Sequence, residues 1–306
     1  MANYWAGSDF VLVANMDDGA LLTDSSPVGT NTLTNNNSVT QSVDAKQGDR
    51  SGSFAGPDFN QSLTITDANL SAGFPGKNGT SNLDFTICFW CKFAGDPWSN
   101  AVISKFLSGV GKTFMIDIEG TGEPYSWIGD GNNVHSVVGG GASLVSGRWY
   151  HFVSTYLNST KARTFTVWDD TAGSLSHNFS DTTAINMGVS TQPITIGMQS
   201  TTQADFYGQI DEVAIANSVY DSTDTDAIRA GTFGSQPLTY KISGYLQDSA
   251  AKIIVLGESD WEVETTQDVT LGNYEITDLV SGTKSVLAVS PEGEVVGFGG
   301  VDPVEV

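Results

Sequence analysis

Two adjacent acids, Asp211 and Glu212, sit in the stretch FYGQIDEVAI (residues 206–215), which otherwise reads as a β-strand. Phe206, Gly208 and Ile210 share one face at period two, whereas Val213 and Ile215 fall on the other. The slip predicts a bulge, and bulges re-aim side chains. A carboxylate turned inward needs a cation or several hydrogen-bond donors to offset its desolvation. Neighbouring residues on a regular strand point opposite ways, so these two acids cannot work as a facing acid/base pair unless the backbone bulges.

Other residue types with chemical potential are few. Cys88 and Cys91 lie in TICFWCKF, whose β-branched and aromatic content predicts a strand. On a strand they point to opposite faces with Cα atoms about 10 Å apart. A disulfide spans no more than about 7 Å, so two unpaired thiols are expected. The chain has three histidines but no Gly-x-Ser-x-Gly elbow. His151, in GRWYHFVSTY, is expected in the core, and His135 and His177, in Gly/Asn/Ser-rich stretches, facing solvent. Trp98, in GDPWSN, and Tyr125 and Trp127, in GEPYSWIGDGNNVHS, fall in or near loops with polar company, where aromatic rings stack on sugars. The alternative is that these rings fold back on the sheet. Trp149 and Trp168 fall within predicted strands and are expected in the core.

The elements that must position these residues are almost all strands. Short apolar alternations cut by Gly, Asn, Asp and Ser predict strands at 9–15, 51–55, 61–66, 83–93, 101–107, 112–118, 124–129, 133–139, 147–156, 163–168, 193–198 and 206–216. In LDFTICFWCKF, Leu83, Phe85, Ile87, Phe89, Cys91 and Phe93 make one face, with Trp90 on the other under a covering loop. One short helix is expected in DSTDTDAIRAGTF, capped by Ser222 or Thr223 and stopped at Gly231. Strands without intervening helices indicate an all-β antiparallel jelly-roll sandwich. A Gly/Ser/Gln/Pro stretch then precedes new strands in YKISGYLQ, KIIVLG, WEVETT, NYEITDL and KSVLAVS. The predicted division is therefore 1–235 and 236–306, the second part a small β-sandwich without His or Cys.

Acidic residues number 35 against 13 basic ones, a formal net charge of −22 over 306 residues. Such a field repels phosphate backbones and anionic headgroups, which argues against nucleic-acid and membrane partners. The opening MANYWAGSDFVLVANMDD lacks the basic start, apolar core and cleavage site of a signal peptide, and no apolar run approaches the roughly 20 residues of a membrane helix. The expectation is a product made in the cytoplasm.

Several stretches together resemble the laminin-G-like branch of the concanavalin A-like lectin/glucanase superfamily: FVLVANMDDG with LTDSSP, GSFAGPDFNQSLTI, LDFTICFWCKF, SGRWYHFVSTY and FYGQIDEVAIANSVYDSTDTDAI. They keep the family's order across residues 9–231. The tail is similar to carboxypeptidase-regulatory-like, or transthyretin-like, modules. The pairing resembles virion proteins of tailed bacteriophages.

The resemblance implies a structural Ca²⁺ held by Asp211 with the first-turn acid, Asp17 or Asp18, and oxygens of the Asp24 loop. Calcium takes six to eight oxygens, which carboxylates and turn carbonyls supply. The other reading of Asp211 is metal-free, with backbone N–H groups or an arginine holding it. Pro27 stands where the family has Gly. Hydrolases of the superfamily carry Glu-x-Asp-x-x-Glu, which this sequence lacks; IDIEGTGE and WEVETTQD fail in spacing. The implied role is non-enzymatic: a structural or adhesion module of a phage virion, assembling with other virion subunits or with its own copies. The alternatives are a carbohydrate-binding protein recognising host surface glycan, and a polysaccharide-degrading enzyme.

Overall fold

The computed structural model describes residues 9–27, 31–56, 59–81, 83–94, 100–107, 109, 111–132, 134–199 and 205–233, and beyond these the backbone of strands lying between 240 and 305. The chain divides into two compact units, Met1–Gly234 and Ser235–Val306.

The first unit contains β1 (Phe10–Ala14), β2 (Thr34–Asn36), β3 (Thr40–Ser42), β4 (Ser51–Ala55), β5 (Ser62–Ile65), β6 (Phe85–Phe93), β7 (Asn100–Lys105) and β8 (Phe114–Ile118). It continues with β9 (Pro124–Gly129), β10 (His135–Gly139), β11 (Tyr150–Leu157), β12 (Ala162–Asp169), β13 (Ser174–Thr182), β14 (Ile194–Ile196), β15 (Tyr207–Ala216) and α1 (Ser222–Arg229). Two antiparallel sheets form from them. The first runs β13-β12-β11-β6-β15-β4-β3, with β1 also paired to β15, and the second runs β10-β9-β8-β7-β14-β5-β2. The fold is therefore the all-β antiparallel sandwich that the strand spacing predicts.

Strict alternation builds the core between the sheets. Phe85, Ile87, Phe89, Cys91 and Phe93 of β6 and Tyr150, Phe152 and Tyr156 of β11 all enter one apolar cluster. Phe89 stacks on Phe152 with ring centroids 5.0 Å apart. Cys88 joins a different cluster, on the outer side of the first sheet, so the two thiols lie on opposite faces, each buried and unpaired. In that outer cluster Phe10, Val13, Cys88 and Ala214 pack against Ile228 of α1. Trp90 is buried on the same outward side, with the Lys46 ammonium 4.8 Å from its ring.

Polar ties cross between the sheets where the apolar core ends. Ser126 and Ser154 hydroxyls meet at 2.8 Å, and Arg163 reaches the carbonyls of Ser136 and Val137 while pairing with Asp181. The guanidinium is buried while the Asp181 carboxylate stays exposed, so the charge is neutralised at the edge of the interior.

The cap lies one residue before Ser222, the nearer of the two expected caps. Asp221 is the N-cap, its carboxylate accepting from the N–H groups of Thr223 and Asp224, and Gly231, at φ +69°, follows the end. An acid outcompetes Ser222 or Thr223 here because its charge adds to the cap the attraction of the helix N-terminus.

In the second unit the described strands are β16 (Tyr240–Leu246), β17 (Lys252–Gly257), β18 (Val263–Asp268), β19 (Gly272–Leu279), β20 (Lys284–Val289), β21 (Val295–Val301) and β22 (Val304–Glu305). They pair antiparallel as β19-β16-β22 and β18-β17-β20-β21.

Candidate functional site

The broken alternation of FYGQIDEVAI is a bulge. Along β6, Asp211 faces Trp90 and Ala214 faces Cys88, so β15 carries one extra residue between them. Glu212 absorbs it in the left-handed region, at φ +48°. The bulge also marks a change of partner: β15 pairs with β4 through Ile210 and with β1 from Val213 onward.

At that junction Asp211 is fully buried. Its Oδ2 accepts from the backbone N–H of Lys46 at 2.8 Å and of Gln47 at 3.0 Å, and its Oδ1 accepts from the N–H of Glu212 at 2.9 Å. Asp17 approaches the same loop, taking the N–H of Asp49 at 2.9 Å. Gly48 lies between, at φ +65°, where an added Cβ would stand 1.9 Å from Asp17 Oδ1. Only a residue without Cβ lets the loop close on that carboxylate. Burial pushes the Asp211 carboxyl up to about 7; the three backbone donors oppose the shift and the Asp17 charge adds to it.

The four acids implied as calcium ligands do not share one place. Asp24 binds four N–H groups, those of Val13, Ser26, and the main chain and side-chain amide of Asn31. Those donors occupy the lone pairs an ion would need, and Asp24 instead fixes its loop to β1. Asp18 is exposed, its N–H donating to Asp49. Among the described residues, no three His, Cys, Asp or Glu side chains form a metal-ligand group. Asp17 and Asp211 remain as two carboxylates at the same loop, one nearly and one wholly buried, Asp211 holding three backbone N–H groups and Asp17 one.

A second concentration of functional groups lies on the outward face of the second sheet. Tyr125 and Trp127 belong to β9, over the predicted span 124–129, and are strand residues rather than loop residues. Pro124, Ser126 and Ile128 turn inward and leave the two rings half-exposed outside, centroids 6.4 Å apart. Phe106, Met115 and Ala101 pack beneath Trp127, and the exposed Val137 is its cross-strand neighbour on β10. Trp127 Nε1 donates to Asp117 at 2.8 Å, and the Tyr125 hydroxyl donates to Glu123 at 3.2 Å. His135 stands 5.0 Å from the Trp127 ring, its Nδ1 3.0 Å from Lys112 Nζ. The result is an aromatic platform edged by acids, a lysine and an imidazole. Burial raises the Asp117 carboxyl to about 7, against the pull of the Trp127 hydrogen bond. Trp98 lies outside the described residues.

Three expectations fail here. His177 is buried, its Nε2 2.8 Å from the Ala142 carbonyl, because it lies opposite the inward-facing Val167 of β12, two residues from Phe179, which lies opposite Phe165. Trp149 and Trp168 are half-exposed, not core. The first reaches Asp44 with Nε1, and the second lies on the outward face of β12 under the Arg229 guanidinium, 3.8 Å away. His151 is buried as expected, against Trp90, and burial lowers its imidazole to about 3.

Residues 60–224, more than half of the chain, match a laminin-G-type family model described as Concanavalin A-like lectin/glucanases superfamily. No curated protein sequence matches the chain. Among solved structures, Domain 4 of a GH43 extracellular arabinanase from Geobacillus stearothermophilus, in complex with arabinotriose, is similar at 17% identity and TM-score 0.50, over 72% of this chain and 98% of that one. The binding domain of Paraclostridial Mosquitocidal Protein 1 is similar at 12% identity and TM-score 0.53, over 91% and 75%. The binding domain of botulinum neurotoxin DC, in complex with SialylT, is similar at 11% identity and TM-score 0.52, over 92% and 72%. These likenesses bear on fold.

The two raised carboxyls give distinct pH signatures. For Asp211 the folded value, about 7, lies above the unfolded one, near 3.8. Its contribution is thus fully present below about pH 4 and lost as pH rises through about 7. In chelator, urea unfolding of wild type against Asp211→Asn should show the wild type losing stability relative to the variant across that window; parallel curves would remove the shift. For Asp117, a variant with Trp127 replaced by Phe isolates by difference the Trp127 fluorescence, which should titrate with a midpoint near 7. Asp117→Asn should abolish that titration, whereas its persistence would assign it to another group.

Proposed function

Because the chain belongs to the concanavalin A-like lectin/glucanases superfamily, we propose that it works as a carbohydrate-binding adhesion module and not as an enzyme. The observation that carries this reading is the aromatic platform of Tyr125 and Trp127 on the outward face of the second sheet. Flat, half-exposed rings offer their faces to the C–H side of a sugar, while Glu123, His135 and Lys112 at the edge supply acceptors and donors for hydroxyls. The packing of Phe106 and Met115 beneath Trp127 holds the indole in place, which lowers the entropic cost of binding. Similar folds bound to arabinotriose and to SialylT support the class of ligand. The missing Glu-x-Asp-x-x-Glu string, and the placement of Asp117 beneath Trp127 instead of in an open cleft, support a binding role over hydrolysis.

The proposal extends to setting. A lectin-like unit followed by a small β-sandwich suits an adhesion component of a bacteriophage virion, with residues 235–306 docking to other virion subunits or to copies of the chain. It also includes a structural Ca²⁺ at Asp17 and Asp211, where the ion would neutralise two neighbouring carboxylates and fix the bulge to the loop at Lys46–Asp49.

Glycan-array binding tests the main reading. The chain is expected to bind a defined subset of glycans, with Trp127→Ala reducing the signal at least tenfold; a blank array would overturn it. For the ion, thermal unfolding in excess Ca²⁺ and in EDTA is decisive. Calcium at 100 times its Kd would add about 2.7 kcal/mol, and Asp211→Ala would erase the gain. Equal midpoints, with no ion retained in elemental analysis, would leave Asp211 to the backbone donors alone.

A further inference from the structure

A pocket of about 440 Å³ opens on the outer side of the first sheet, between β11–β13 and the segment that leads from β15 into α1. Its volume falls in the range of small-molecule sites. The pocket exists because the sheet changes character beneath the helix. Near Ile228 the sheet presents Val13, Cys88, Val153 and Ala214, and helix and sheet pack closely. Further out the lining becomes Thr155, Thr164 and Thr166, whose short side chains neither fill the gap nor repel water. Thr155 and Thr164 bond each other across the strands at 2.7 Å. Among the described residues, the Thr166 hydroxyl and the Asn178 side-chain amide, both lining the pocket, take no hydrogen-bond partner.

One wall is the indole of Trp168, held by Arg229 at 3.8 Å, which is itself tied to Asp226 at 2.9 Å. The rim carries Leu175 and Val219, 51% and 39% exposed, both large for apolar side chains at a surface. A fixed aromatic plane, an apolar rim and a hydroxyl-bearing floor with an amide and a carboxylate form a mixed lining. It matches a ring that is apolar on its C–H face and hydroxylated at its edge. The carboxylates of Asp221 and Asp226 at the mouth, in a chain of net charge −22, disfavour an acidic ligand.

We propose that this pocket is a second saccharide site, taking one or two rings of a neutral sugar against Trp168, with Thr166, Asn178 and Asp226 receiving its hydroxyls. It rests on the reading of the chain as a carbohydrate binder and adds a site on the sheet opposite the Tyr125–Trp127 platform.

The test is saturation-transfer NMR and calorimetric titration of the full chain with galactose, glucose, N-acetylglucosamine and lactose. Four proteins are compared: wild type, Thr166→Leu, which fills the pocket, Asn178→Trp, which blocks its mouth, and Trp127→Ala. At least one of these sugars is expected to bind with millimolar affinity. Binding should weaken at least tenfold in both pocket variants, with unchanged unfolding midpoints, and persist in Trp127→Ala. Binding lost only in Trp127→Ala, or an array signal that depends on Trp127 with no binding of these sugars at all, would overturn the pocket and leave the platform reading standing. Silence in both titration and array would overturn both.

Discussion

The carboxylate of Asp211 is the constraint around which the first unit is arranged. It sits where β15 exchanges β4 for β1, against the backbone donors of the half-buried loop at Lys46 and Gln47. By accepting from Lys46 and Gln47 of that loop and from Glu212 of its own strand it satisfies three N–H groups with one carboxylate. The three donors offset only part of the acid's desolvation, which still leaves its carboxyl raised to about 7. The left-handed Glu212 and the Cβ-free Gly48 are what this grip requires of the backbone. Local strain persists there because the surrounding hydrogen bonds over-determine it.

With that junction fixed, the two sheets are free to use their outer faces differently. Both inner faces are consumed by a single apolar core. The outer face of the first sheet is covered by α1 near Ile228 and left open near Trp168, because hydroxyl-bearing residues replace apolar ones there. The outer face of the second sheet carries a small cluster around Phe106 and Met115 with aromatic rings on top. Each outer face therefore has a place where an outward strand position holds a ring that the core did not need, supported by a few buried neighbours. Strands position such rings more rigidly than loops do.

Much of this was legible in sequence, for identifiable reasons. Period-two alternation located β6 and β9 closely and the phase slip located the bulge, since both follow from where a strand's side chains must point. The opposite facing of Cys88 and Cys91 follows from the same geometry. What escaped was of two kinds. Strand β13, in SLSHNFSDT, is mostly exposed and carries almost no apolar alternation, so nothing in its composition announced a strand, and the burial of His177 went with it. Trp168 alternates correctly on β12, but alternation does not say which face meets a core and which meets a helix approaching from 60 residues later. The Asp24 loop illustrates a third limit: an acid beside a turn reads alike whether its partners will be an ion or four N–H groups.

Charge placement then bears on what the outer faces can receive. Of 13 basic side chains, Lys46, Lys92, Lys105, Arg148, Arg163 and Arg229 are already engaged by aspartates within the first unit. The Lys105 pair is almost wholly buried and serves the interior alone. Six of the 13 cations are thus paired within the first unit, while acids outnumber bases by 35 to 13 over the whole chain. In so acidic a field, stacking, apolar contact and neutral hydrogen bonds are the contributions to affinity that salt does not screen. That physical balance favours uncharged polar ligands over phosphates or sulfated chains on either outer face.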